Sequence, residues 1–269
     1  MADTAHGSAS AWAEMVLGGL GAEVTVVNAE PNGTNINDGC GSTHPDGLAA
    51  AVVEAGADVG LAFDGDADRV LAVDSLGRIV DGDEIIAICA RDRHERGVLA
   101  NDAVVVTVMT NLGFRLAMQE AGIEVVETPV GDRYVLEALA DGDHSLGGEQ
   151  SGHVIFAELA STGDGLLTAV QLLDAVGRAD RPLADLAAEA MTKLPQILVN
   201  VTVEERMPDI ADRLADEIAE AESGLGDRGR VLVRASGTEP LVRVMVEAAD
   251  QAEADEVAHS LASAAAALH

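Results

Sequence analysis

A chain of 269 residues with 48 % hydrophobic content is long enough to build two or three small cores and too apolar to be disordered. Its 16 basic and 47 acidic residues give a net charge of −31, a field that repels DNA, RNA and anionic membranes alike. Only 2 % of residues are aromatic, which excludes base-stacking platforms and leaves the core to Ala, Val, Leu and Ile.

In chain order, residues 1–7 read as a turn, so the first domain looks shortened at its amino end, its first strand missing. A helix over 12–20 and a β-rich run over 22–27 follow, then a long loop over 31–41 dense in Asn, Gly and Asp. A helix over 48–54, a buried strand over 59–63, a hairpin of 71–73 with 78–80 around Ser75-Leu76-Gly77, and a helix over 83–90 close a first α/β domain, 1–95.

Alternation resumes with strands over 103–108 and 124–128 and helices over 113–121, 134–140 and 166–176, a second α/β domain spanning 96–190. From 191 to 269 the order is a strand over 197–203, a helix over 207–222, strands over 230–234 and 241–246, and an Ala-rich helix from Gln251. The fold class is therefore α/β: two consecutive α/β domains with mixed sheets, then a smaller α+β carboxy-terminal domain. Cys40 and Cys89 lack metal-ligand spacing and read as buried free thiols of a reducing cytosol. No apolar run reaches membrane-spanning length and no leader pattern opens the chain, so a cytoplasmic protein is the expectation.

Chemistry concentrates in three loops. Asp64-Gly65-Asp66-Ala67-Asp68-Arg69 places three carboxylates at alternate positions directly after a strand. Like charges so close are unfavourable unless a hard cation neutralises them, and an all-oxygen set suits Mg²⁺. Arg69 beside them offers a planar guanidinium to phosphoryl oxygens, which makes phosphoryl transfer the leading class. A solvated acidic turn is the competing reading in so acidic a chain. The second loop, Gly147-Gly148-Glu149-Gln150-Ser151-Gly152-His153, gathers the donors and acceptors that a sugar requires; a polar turn with a surface histidine is its alternative. The third, Arg234-Ala235-Ser236-Gly237-Thr238-Glu239-Pro240 with Arg243 after it, reads as a phosphate cradle or as a plain hairpin turn. Asp164 reads as an ordinary helix cap, and Asp132 with Arg133 as either cap or site.

Together these loops, with Asn35-Ile36-Asn37-Asp38-Gly39-Cys40-Gly41-Ser42-Thr43-His44 and Val130-Gly131-Asp132-Arg133-Tyr134-Val135, resemble the α-D-phosphohexomutase superfamily, and within it the phosphoglucosamine mutase branch, over essentially the whole chain. Gln150 carries the distinction, since relatives acting on mannose phosphates usually have Met there. The resemblance implies that Asp64, Asp66 and Asp68 hold Mg²⁺, that Glu149 and Ser151 bind sugar hydroxyls, and that Arg234, Ser236, Gly237, Thr238 and Arg243 grip the phosphate that does not react. Arg69 and His153 would assist phosphoryl and proton transfer. The implied ligand is a phosphorylated amino sugar, glucosamine 6-phosphate or 1-phosphate, on the route to cell-wall precursors, and a homodimer is common in such families. The family's nucleophile is a phosphorylated serine in a Ser-His-Asn-Pro context, which this sequence does not contain. A separate amino-terminal domain would have to supply it. A non-catalytic sugar-phosphate binding module, or a phosphomannomutase or phosphoglucomutase, is the alternative.

Overall fold

The computed structural model describes residues 1–236 and 239–268. The described residues form two compact units, 1–110 with 114–192, and 111–113 with 193–269.

The first unit contains two sheets. The chain enters on a strand, β1 (Ala2–Asp3), followed by α1 (Ala13–Gly19), β2 (Val26–Val27), α2 (Asp46–Ala55), β3 (Val59–Phe63), β4 (Val70–Asp74), β5 (Ile79–Val80) and α3 (Gly82–Glu95). The sheet order is β2-β1-β3-β4-β5, with β1 parallel to both neighbours and β3, β4 and β5 antiparallel. This corrects the expectation that the first strand is missing: Ala2 and Asp3 lie fully inside the sheet, invisible as a pattern because two residues have no periodicity. The same shortness limits β2 to Val26–Val27 where a longer run is predicted, since pairing ends where its partner does. Gly60 in β3 lets α2 press close, for a Cβ there would lie 2.6 Å from Val52 Cγ2. Helix α3 starts on a capping box in which Asp81 accepts from Glu84 N and Glu84 accepts from Asp81 N.

The second sheet, ordered β7-β6-β8-β9, is built from β6 (Ala103–Thr107), β7 (Glu124–Thr128), β8 (Leu146–Gly148) and β9 (Val154–Phe156). Its central strand β6 is buried at every position and apolar up to Thr107, as a parallel strand covered on both faces must be. Around it run α4 (Leu112–Glu120), α5 (Asp132–Asp141), α6 (Gly165–Ala179) and α7 (Leu183–Ala190). Helix α7 is absent from the sequence-based elements; eight residues directly after Pro182 carry too little periodicity to register. One continuous core joins the two sheets, with Phe63, Ile85, Ile86, Phe114, Phe156 and Leu172 at its centre. Cys40 and Cys89 are both buried free thiols, and burial pushes the Cys89 thiol up to about 12.

The second unit is the α+β domain: β10 (Gln196–Thr202), α8 (Ile210–Arg213), α9 (Ala215–Leu225), β11 (Arg230–Ala235), β12 (Leu241–Glu247) and α10 (Gln251–Ala266). All pairings in the sheet β10-β12-β11 are antiparallel. The helix expected over 207–222 is broken at Leu214, whose φ of −107° and ψ of 19° leave the helical region while its side chain stays buried. Val231, Val233, Val242, Val244 and Val246 face the core with α10, so the alternate positions, Arg230, Arg234, Arg243 and Glu247 among them, share the opposite face.

Candidate functional site

Strand β3 delivers the acidic loop at its carboxy end. One oxygen from each of Asp64, Asp66 and Asp68 lies within 4.8 Å of the others, and Asp64 is buried while Asp66 is exposed. Two backbone donors shape the turn: Arg69 N donates to Asp64 Oδ1 at 3.1 Å, and Ala67 N to Asp64 O at 3.1 Å. Asp68 Oδ1 is buried with no hydrogen-bond partner among the described residues, and Arg69 Nε lies 3.9 Å from it. Burial, reinforced by Asp68 and Asp66, raises the Asp64 carboxyl to about 7. An all-oxygen trio with an unsatisfied buried carboxylate oxygen is the donor set that a hard divalent cation completes, so these residues fit a metal of the Mg²⁺ class.

The sugar-type loop adjoins this trio inside the same unit. His153 is 3 % exposed, and its Nδ1 lies 3.0 Å from Asp68 Oδ2; an ionised carboxylate only accepts, so the ring nitrogen is the donor. Val70 N donates to Gly152 O at 3.1 Å, Gly82 N to Gln150 O at 3.0 Å, and Gly165 N to Ala67 O at 2.8 Å, binding the loops to one another. Gly152 has φ +91°, and a Cβ on it would fall 2.3 Å from Val70 O, so only glycine serves there. Glu149 Oε1 accepts from Gly131 N at 3.0 Å, and Ser151 is exposed. Arg69 is also exposed, its side chain 45 % accessible.

Two glycines act here in ways the sequence did not show: Gly131, noted only as part of a helix-start stretch, donates to Glu149, and Gly163 lies against the His153 ring, where a Cβ would fall 2.4 Å from Cε1. Asp164 caps α6, accepting from Leu167 N at 3.0 Å. Asp132 is the first residue of α5, and Arg133 pairs with Glu137 at 2.7 Å on the surface.

In the second unit Arg234 and Arg243 are directly opposed across β11 and β12, with exposed Asn200 of β10 opposite Arg243 on its other side. Like charges facing each other across a ladder repel, and burial together with Arg243 holds the Arg234 guanidinium below its ordinary value. Arg243 Nε is buried without a partner and Arg243 Nη2 is 3.8 Å from Glu239 Oε2. Ser236 is buried, its Oγ accepting from Glu239 N at 3.3 Å. Gly237 and Thr238 lie outside the described residues. The hairpin's symmetry around 238–239 would have disclosed the Arg234–Arg243 pairing from the sequence.

Comparison with known proteins gives these loops a family. Three models match end to end: phosphoglucomutase/phosphomannomutase alpha/beta/alpha domain II over residues 1–77, alpha/beta/alpha domain III over 81–194, and the C-terminal domain over 198–264. The chain belongs to the phosphoglucomutase/phosphomannomutase family. It is 60 % identical to the phosphoglucosamine mutase of Frankia alni over 262 residues, covering 97 % of this chain and 57 % of that protein. With the phosphoglucosamine mutase of Thermobifida fusca it shares 55 % over 261 residues, 97 % of this chain and 58 % of the relative. The chain thus spans little more than half the length of these relatives. Among solved structures, a phosphoglucomutase/phosphomannomutase family protein of Burkholderia thailandensis superposes with a TM-score of 0.81 at 25 % identity, over 98 % of this chain and 60 % of that one. Aspergillus fumigatus N-acetylphosphoglucosamine mutase, solved in complex with GlcNAc-6P and magnesium, shares the fold with a TM-score of 0.80 at 23 % identity, over 98 % and 64 % of the two chains. No helix among the described residues is long and apolar enough to cross a membrane.

Proposed function

We propose that this chain carries the metal-binding, sugar-binding and phosphate-binding parts of a phosphoglucosamine mutase, which interconverts glucosamine 6-phosphate and glucosamine 1-phosphate. The observation that carries the reading is the convergence of Asp64, Asp66 and Asp68 with the His153 end of the sugar loop. Asp64, Asp66 and Asp68 would hold Mg²⁺, which when bound lends positive charge to a phosphoryl oxygen. Arg69, exposed beside them, would neutralise further phosphoryl charge. Glu149, oriented by Gly131 N, and Ser151 would bind sugar hydroxyls. Arg234 and Arg243, with Ser236, Gly237 and Thr238, would take the phosphate that stays in place, which removes the repulsion between the two guanidiniums.

These groups position and polarise; none is a phosphoryl acceptor. A phosphorylated serine in a Ser-His-Asn-Pro context, on a further domain, is the partner the reading requires. A coupled mutase assay tests it, with glucosamine 6-phosphate and Mg²⁺, on the chain alone and with such a domain from a relative added. The expected result is negligible turnover alone and measurable turnover after complementation. Saturable sugar-phosphate binding with no turnover under any complementation would point instead to a binding module.

A further inference from the structure

We infer that the first unit holds an open strand position in line with β1, and that it takes the extended carboxy-terminal tail of a partner domain, ending in an apolar residue and a free carboxylate beside Met1. The partner is the phosphoserine-bearing domain that the proposed function requires, and in that respect the inference rests on that reading.

Strand β1 is the middle strand of β2-β1-β3, and directly before it lies a cavity of about 980 Å³, lined in part by Met1, Leu20, Val24, Val59, Leu173 and Val176. The register defines what fits there. Ala2 lies opposite Val26 on one side and Leu61 on the other, so a strand in the same line places the residue just before Met1 between Val24 and Val59. Met1 N donates to Val59 O at 2.6 Å and Leu61 N to Met1 O at 2.9 Å, both toward β3, whereas Ala2 N donates to Thr25 O at 2.8 Å, toward β2. By that alternation the tail's last residue bonds to Glu23 O and Thr25 N, and the one before it to Ala57 O and Val59 N. Val24 and Val59 share a face with Ala2, Leu17 and Leu61 against α1 and α6, while Met1 faces Leu48 and Val52 on the other side. The last and third-last residues of the tail therefore turn toward Leu17 and Leu173 and must be apolar; the residue between them need not be. Val24, Val59, Leu173 and Val176 are half-buried and Leu20 is 50 % exposed, apolar surface that such side chains would cover.

Charge points to the same occupant. The Met1 ammonium borders the cavity, and burial holds it below its ordinary value, so a terminal carboxylate arriving there meets a cation. Glu23 and Asp58 also line the cavity and favour a basic residue further back on the tail. Because this chain spans 57 % of its Frankia alni relative, the remainder of such a protein is the natural source of that tail.

The test titrates the isotope-labelled full chain with the peptide acetyl-Lys-Val-Thr-Val bearing a free carboxylate, and follows the Thr25 and Val59 amides by NMR and hydrogen exchange. Saturable shifts and at least about tenfold slower exchange of both amides are expected. Acetyl-Lys-Thr-Val-Thr, whose apolar side chain turns to the other face, should bind at least about tenfold more weakly. The carboxamide form of the first peptide should bind about threefold more weakly, having lost its pair with Met1. Leu173→Gln, with folding checked by circular dichroism, should weaken binding of the first peptide about tenfold. Equal affinity for the two sequences, or no saturable shift at millimolar peptide, would overturn the inference on the wild-type chain itself. Sedimentation showing that the chain pairs with itself, and that the peptide dissolves the pair, would give the position to a second copy and overturn the partner domain as occupant. The peptide readouts need no catalysis: binding of the first peptide without turnover on complementation would leave the strand position standing while the mutase reading fails. Equal turnover whether or not the added domain ends in such a tail would overturn the inference and spare that reading.

Discussion

In the carboxy-terminal sheet Arg230 lies opposite Glu247 and donates to it at 2.8 Å, whereas further along the same ladder Arg234 lies opposite Arg243, which Glu239 approaches only to 3.8 Å. The metal-type loop has a similar counterpart. Asp74 and Glu84, both buried, share the guanidinium of Arg78 at 3.2 and 2.6 Å, while Asp64, Asp66 and Asp68 crowd together with Arg69 at 3.9 Å and the His153 ring at 3.0 Å from Asp68. Charges of one kind are neutralised inside the fold and hold it together; those of the other kind are left unbalanced, and their balance must come from a ligand. A chain with so large an excess of acid cannot be read from charge counts, but it can be read from which charges the fold has already paired.

That contrast is broken most forcefully at the paired sites. Glu247→Ala strips a fully buried carboxylate from Arg230 and Gln196 and should destabilise the carboxy-terminal unit by about 3–5 kcal/mol in urea denaturation. A loss below about 1 kcal/mol would mean that the pair is not structural. Asp66→Asn should do the reverse: Mg²⁺ affinity by calorimetry falls by at least about tenfold, while the metal-free chain melts at an equal or higher temperature because repulsion has been removed. If metal-free stability drops instead, the acidic loop belongs with the structural charges.

Arg243→Ala should weaken binding of glucosamine 1-phosphate about tenfold with little change in melting temperature, since Arg234 loses a like-charged neighbour. The smallest effect concerns pH. Because burial raises Asp64 to about 7, its protonated form stabilises the metal-free chain below the ordinary carboxylate range, and that contribution is lost as pH rises through about 7. Protons compete with the cation, so Mg²⁺ affinity should climb with pH and level off above about 7. A flat profile would contradict the raised carboxyl.

Much of this was legible in the residues. The alternation of Asp64, Asp66 and Asp68 after a continuous apolar run marks both a strand and the loop at its end, and β3 and β7 occupy the residues their patterns predict. What stayed hidden depends on partners distant in sequence. Strand β1 exists only because β2 and β3 flank it, Gly163 matters only because His153 rests on it, and the burial of His153 follows from packing that no local pattern encodes. The break at Leu214 belongs here too, since the apolar spacing runs on unbroken through it.

The most direct test of the central claim is an anomalous-scattering map from crystals of the chain soaked in Mn²⁺. The account predicts a single strong peak bonded to one oxygen each of Asp64, Asp66 and Asp68, with His153 still donating to Asp68. A map with no peak there, or with those carboxylates turned out to solvent, would contradict it.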